Sequence, residues 1–304
     1  MIEDRPASKD LRREAEGKYF KPQTSSETIL KRSAPQTIFK MSFIKFLGTA
    51  GARFVVMKQL RASGGVWLSV GKTNLYIDPG PGALVRCLNS KPKLEPSTLD
   101  GILLTHKHLD HSGDVNIMIE AMTEGGFKKK GVLFAPRDAL EEDPVILKYV
   151  MGYVEKIEVL KENSEYRFGE IQFSTAQRHQ HRVETYGLNF KISPLTISFI
   201  TDTKFFPELS NLYRGEILVI HVVRLKPIGD DPIEHLSIED VKTIIKEAKP
   251  RLTILTHFGM TMIKAKPWVV AAELEKELGL KVIAASDGLK LDLERASKNY
   301  STLS

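Results

Sequence analysis

The stretch Thr105–Asp114 reads THKHLDHSGD, three histidines and two aspartates in ten residues of a chain that holds eight histidines in all. Just upstream, DGILL (100–104) reads as a turn followed by a buried strand, so the cluster begins where a strand ends. His106 and His108 are two apart, and in an extended segment both face the same side. Asp110 and His111 follow where the chain must turn into a helix, expected over DVNIMIEAM (114–122), and can point toward a second position nearby. Neutral imidazole and carboxylate are the ligands of zinc, manganese or iron in hydrolases that lack thiolates. Four ligands in six residues are too many for one ion that must keep open positions; they suit two ions sharing a bridging water. A lone histidine is most often an ordinary surface or core side chain. The H-x-H-x-D-H spacing after an apolar strand favours metal chemistry.

Outward from this cluster, the 304 residues suit one large domain or two small ones with a substantial core. Residues 1–40 are polar, without a sustained period, and read as an appendage to a domain spanning 41–304. The charged N-terminus lacks the apolar run of a secretory signal, and no apolar run reaches the roughly 18 residues of a membrane span. Cys87 is the single cysteine, which excludes an internal disulfide and a cysteine-based zinc knuckle. A reducing cytoplasm is the expected compartment. The net charge of +6 is compatible with a phosphate-bearing or nucleic-acid partner without requiring one.

Short β-rich segments come first, among them FIKFLG, GVWLSVG and TNLYIDPGPG, each bounded by glycine or proline. Strands then alternate with helices. Ser237 and Asp240 form a capping box for a helix over 237–248, and Pro267 and Gly279 bracket another. KVIAASDGLKLDL (281–293) is expected to be a hairpin turning at Asp287-Gly288. The pattern is one of mixed sheets covered by helices, an α/β (α+β) fold.

The histidine cluster resembles the signature of the metallo-β-lactamase superfamily, and four further motifs follow that family's order. LYIDPGPG supplies Asp78, HQHRVETYGLNF supplies His181 with His179 as runner-up, ISFITDT supplies Asp202, and LTILTHFG supplies His257. The resemblance covers roughly residues 42–291. It implies a four-layer αββα sandwich of two mixed sheets flanked by helices, with two divalent metal ions, zinc, manganese or iron, at one edge. One ion would be held by His106, His108 and His181. The other would be held by Asp110, His111 and His257, with Asp202 bridging and Asp78 orienting ligands from behind. The bridging water, its pKa lowered, would be the nucleophile.

Fold and metals do not fix the substrate. HRVETYG and the final HFG look like the ribonuclease Z and cyclic-phosphate phosphodiesterase branch. EHLSIEDV places His235 where that branch has a histidine facing the scissile phosphate, which implies a general acid or a stabiliser of phosphoryl charge. Gly80 and Gly82 in DPGPGA offer an anion cradle or an ordinary tight turn. Arg53, Lys58 and Arg61 could reach a phosphate. His221, in LVIHVV, reads equally as a site or a core residue. Two departures separate the chain from ribonuclease Z. It has no long Gly/Pro-rich arm, and His221 stands where that enzyme has a glutamate. The expected activity is hydrolysis of a phosphodiester, in a small cyclic phosphate or in RNA or DNA. A lactone or thioester hydrolase and a non-catalytic, metal-dependent nucleic-acid binding protein are the alternatives. A homodimer is implied by family analogy alone.

Overall fold

The computed structural model describes residues 42–141, 143–229 and 234–298. The expected 1–40 appendage lies outside them. Strands β1 (Phe43–Phe46), β2 (Val66–Val70), β3 (Thr73–Ile77), β4 (Gly101–Leu103), β5 (Val132–Ala135) and β6 (Lys156–Val159) enter the first sheet. Strands β7 (Glu165–Phe168), β8 (Ile171–Thr175), β9 (Leu188–Ile192), β10 (Leu195–Ile200), β11 (Ile217–His221), β12 (Leu252–Thr256) and β13 (Val282–Ala284) build the second. β14 (Lys290–Asp292) then returns to pair with β1. Each sheet has seven strands, ordered β14-β1-β2-β3-β4-β5-β6 and β13-β12-β11-β10-β9-β8-β7.

Alternation along the strands sorts the side chains into layers. Ile44, Phe46 and Leu68 of the first sheet pack against Phe173, Phe190 and Ile254 of the second in a buried central core. The outer face of the first sheet is covered by helices Ala83–Leu88 and Val115–Met122. The outer face of the second is covered by Ile238–Ala248 and Pro267–Leu278. This is the four-layer αββα arrangement that the motifs implied. The Ser237 cap forms as the sequence predicts: its hydroxyl accepts from the Asp240 N–H and the Asp240 carboxylate accepts from the Ser237 N–H. Ile238, Val241, Ile244 and Ile245 turn inward along one face of that helix. Among the described residues no helix is long and apolar enough to cross a membrane.

The expected hairpin over 281–293 does not form. β13 pairs with β12 in parallel, whereas β14 pairs with β1 in the opposite sheet. The turn itself is real, with Gly288 at φ +93°. However, Asp287 is spent on anchoring it: its carboxylate accepts from the Thr49 hydroxyl at 2.7 Å and the Ala62 N–H at 2.8 Å. Tertiary partners, not the local turn, choose the strand pairing.

What positions the site is the parallel half of each sheet. β3, β4 and β5 run parallel in the first, and β10, β11 and β12 in the second. The loops leaving the C-terminal ends of these strands carry the site residues: Asp78 after β3, His106 to His111 after β4, Asp202 after β10, His221 at the end of β11 and His257 after β12.

Candidate metal centre

Two groups of side chains converge here. His106, His108 and His181 form one; His111, Asp202, His221 and His257 form the other, and the ligand atoms of each group lie within 4.8 Å of one another. His181 Nε2 faces His108 Nδ1 at 3.1 Å, and His111 Nε2 faces His257 Nε2 at 2.9 Å. Two nitrogens bound to one tetrahedral zinc, with Zn–N of about 2.0–2.1 Å, sit about 3.3 Å apart. The observed separations are close to that. His106 Nε2 and His257 Nδ1 are buried without a hydrogen-bond partner, which a folded chain tolerates poorly unless something else binds there. The donor set is nitrogen and oxygen only, so the residues fit divalent ions of the zinc, manganese or iron type.

A shell behind these nitrogens fixes which of them carries the proton. Asp78 accepts from the Thr105 N–H and hydroxyl, each at 2.7 Å, and lies 3.0 Å from His111 Nδ1. His111 therefore donates from Nδ1 and turns the lone pair of Nε2 inward. The Thr105 hydroxyl has one hydrogen, committed to Asp78, so at 3.2 Å it accepts from His106 Nδ1. His106 Nε2 is thereby left as a lone pair. His181 Nδ1 donates to the Glu234 carbonyl at 3.3 Å, with the same result for its Nε2. This is the orienting shell that metal-binding histidines need.

At His106, His108, His221 and His235 the electrostatics agree with neutral imidazoles around a charged Asp202. Burial pushes His106 well below the ordinary histidine range and His108 below it too. Burial likewise holds His221 and His235 down to about 4. For Asp202 burial works upward, but His257, His235 and His111 outweigh it and keep the carboxyl well below the usual range. Burial opposes charge on His111, yet Asp202, Asp110 and Asp78 raise it well above its ordinary value. Three carboxylates around one imidazole form a strong cation site.

Two site residues have strained backbones, Asp78 at φ +52° and His257 at φ +60°. Such residues persist where the surroundings overdetermine them. At His257 the fit includes Gly51, because a Cβ there would stand 2.2 Å from the His257 carbonyl oxygen and 2.4 Å from its Nδ1.

Asp110 approaches the second group through one oxygen, 3.4 Å from His257 Nε2 and 3.8 Å from His111 Nε2. Of the two candidates in HQHR, it is His181 that joins the cluster. His179 is buried elsewhere, between the Tyr213 hydroxyl at 2.9 Å and the Thr201 hydroxyl at 3.2 Å. His235 belongs to neither group but looks into both: its Nδ1 lies 3.7 Å from Asp202, and its ring centre lies 5.3 Å from that of His181. It precedes the Ser237 cap and does not itself cap the helix. The strand-like bridge between Arg224 and Ser237 holds it in place.

His221 is the residue the sequence left open. Its Nδ1 meets Asp202 at 2.8 Å, and its ring stacks on His257 at 4.5 Å. The signal that finds it is topological: it ends a strand lying between those that lead to Asp202 and His257. The Gly80 N–H is spent on the Asp78 carbonyl at 2.8 Å, and a Cβ at Gly80 would meet the Asp110 carbonyl oxygen at 2.1 Å. Of the two readings of DPGPGA, the tight turn is the one that forms, and Gly80 permits its close packing. Arg61 is held by the Thr49 hydroxyl at 3.1 Å and lies over the Phe258 ring, so it braces the loop behind His257.

The model of the beta-lactamase superfamily domain matches residues 73–258, and the chain belongs to that superfamily. Its similarity extends to the Methanocaldococcus jannaschii protein MJ1374, 31% identical over 268 residues that cover 84% of this chain and 97% of that one. Among solved structures it resembles a diphosphatase from the PhnP family, with a TM-score of 0.61, 20% identity and coverage of 82% and 96%. It also resembles human tRNase Z, short form, with a TM-score of 0.58, 14% identity and coverage of 82% and 98%.

Proposed function

We propose that the protein is a dinuclear metal-dependent phosphodiesterase. His106, His108 and His181 would hold one ion. His111, His257 and Asp110 would hold the other, with Asp202 between the two. When bound, such ions supply Lewis acidity to a phosphoryl oxygen and an activated water as nucleophile. The chain's own residues do the rest. Asp78 and Thr105 keep protons on the outer nitrogens of His111 and His106, so that the inner nitrogens stay available. His221 holds one oxygen of Asp202, fixing how that carboxylate is turned.

The observation that carries the phosphodiester reading is His235. It is a buried imidazole outside both groups, yet within 3.7 Å of Asp202. Held down to about 4 by burial, it is neutral at neutral pH and offers a ring N–H. That N–H would donate a hydrogen bond that stabilises charge developing on a phosphoryl or leaving oxygen. A diphosphatase and a tRNase that share the fold support chemistry at phosphorus. The substrate class would be a small cyclic phosphate or an accessible end of RNA or DNA.

Lactone or thioester hydrolysis would use the same metals without needing His235. The test is turnover of bis-p-nitrophenyl phosphate, a lactone and a thioester by wild type and His235→Ala. Loss of about 10²-fold or more in phosphodiester turnover alone supports the proposal, a size typical of removing one acid-base or charge-stabilising group. Ester cleavage without phosphodiester cleavage in the wild type rejects it. Function retained in Asp202→Ala would move the protein to the non-catalytic, nucleic-acid binding class.

A further inference from the structure

Away from the histidines, a cavity of about 260 Å³ opens on the outer face of the first sheet, beside helix Ala83–Leu88. Alternation along β1 sends Ile44 and Phe46 into the central core and Lys45 to this outer side. Lys45 is only 2% exposed, yet the partner of its ammonium is a neutral group, the Lys91 carbonyl at 2.9 Å. Arg86 spends its Nε–H on the Leu47 carbonyl at 3.0 Å and lines the cavity with Lys91 and Asn89. Lys290 stands nearby, over the Phe43 ring. Among the described residues no carboxylate forms an ion pair with Lys45, Arg86, Lys91 or Lys290.

Gathering cations around a concavity and burying one of them is unfavourable unless an anion completes the set. Burial first, then Lys290 and Arg86, lower the Lys45 pKa, the expected mark of a cation short of counter-charge. Gly288 also lines the cavity, and an added Cβ there would meet nothing within 4 Å.

We propose that this cavity is a second anion site, separate from the metal centre, that takes the phosphate group of a small molecule through Lys45, Arg86 and Lys91. Its volume admits inorganic phosphate or a small phosphate ester. Arg86 is the natural fork for the phosphate oxygens, and the lysines act as point charges beside it. The site does not depend on the phosphodiesterase reading, because it shares no residue with the metal centre.

The experiment is calorimetric titration of the full-length, metal-loaded protein with inorganic phosphate and, separately, with a nucleoside 5′-monophosphate. Wild type is compared with Lys91→Met, Arg86→Gln and Lys45→Met. Lys91 is exposed, so its variant keeps the assay informative even where Lys45→Met folds poorly. The expected result is binding that weakens at least tenfold in Lys91→Met and Arg86→Gln, with hydrolytic turnover and its competitive inhibition by phosphate unchanged. Tighter binding of the nucleoside monophosphate assigns the site to organic phosphates, and tighter inorganic phosphate assigns it to the free ion. Isotherms that are the same in wild type, Lys91→Met and Arg86→Gln, or no binding of either probe, would overturn the proposal.

Discussion

Asp202 and His221 meet at 2.8 Å, joining the ends of two neighbouring parallel strands, β10 and β11. The contact leaves the second oxygen of Asp202 facing His111 at 3.5 Å and His106 at 3.7 Å, one residue from each group. Asp202 is thus a carboxylate within reach of both groups, and His221 sets its angle. Replacing His221 with alanine is therefore expected to weaken metal binding by about 10- to 100-fold, as loss of an orienting partner does. Competition with a chelating dye, followed by equilibrium dialysis, measures this directly.

Gly51 supplies a steric test of the same centre. Its φ of −128° suits any residue, so Gly51→Ala probes space and not backbone freedom. The added Cβ would press on the His257 carbonyl and ring. The expected cost is about 1–3 kcal/mol of stability, as for overpacking elsewhere, together with loss of metal from the second group. Denaturant melts and metal analysis of the purified variant check both halves.

Removing the helix cap tests how His235 is held. Ser237→Ala is expected to cost about 1 kcal/mol through the lost cap of helix Ile238–Ala248. Because His235 lies two residues before that cap, phosphodiester kcat should fall while bound metal stays constant. A parallel loss of metal would mean that Ser237 supports the whole edge and not His235 alone.

Cys87 is a probe remote from the chemistry. It is fully buried, and burial pushes its thiol up from 9.0 to about 12. It should resist thiol reagents at neutral pH until the protein unfolds. The folded state holds this proton more tightly than the unfolded chain does. Stability contributed by Cys87 is therefore constant below pH 9 and declines as pH rises from 9 toward 12. Thiol titration with and without denaturant checks the first point, and unfolding free energies at pH 8 and pH 10 check the second.

Much of the site was legible because its residues sit just past apolar strands that announce themselves. His106 to His111, Asp78, Asp202 and His257 each follow such a run, and the structure brings all of them together. His221 was not legible, since ILVIH reads the same whether its last residue enters a site or a core; only the parallel neighbours β10 and β12 decide. Helix Ala52–Met57 was also hidden. Phe54 and Met57 are 63% and 71% exposed and Val55 alone is buried, so no apolar stripe marks a helix. The Asp287-Gly288 turn was read correctly as a turn. Its flanking strands were misassigned because pairing across two sheets leaves no local trace.

The most direct measurement is the metal content of the purified chain by elemental analysis, for wild type, His181→Ala and His257→Ala. Two divalent ions per chain are expected in the wild type, and about one in each variant, because His181 and His257 serve different groups. A single ion in the wild type, or no change on removing either histidine, would contradict this.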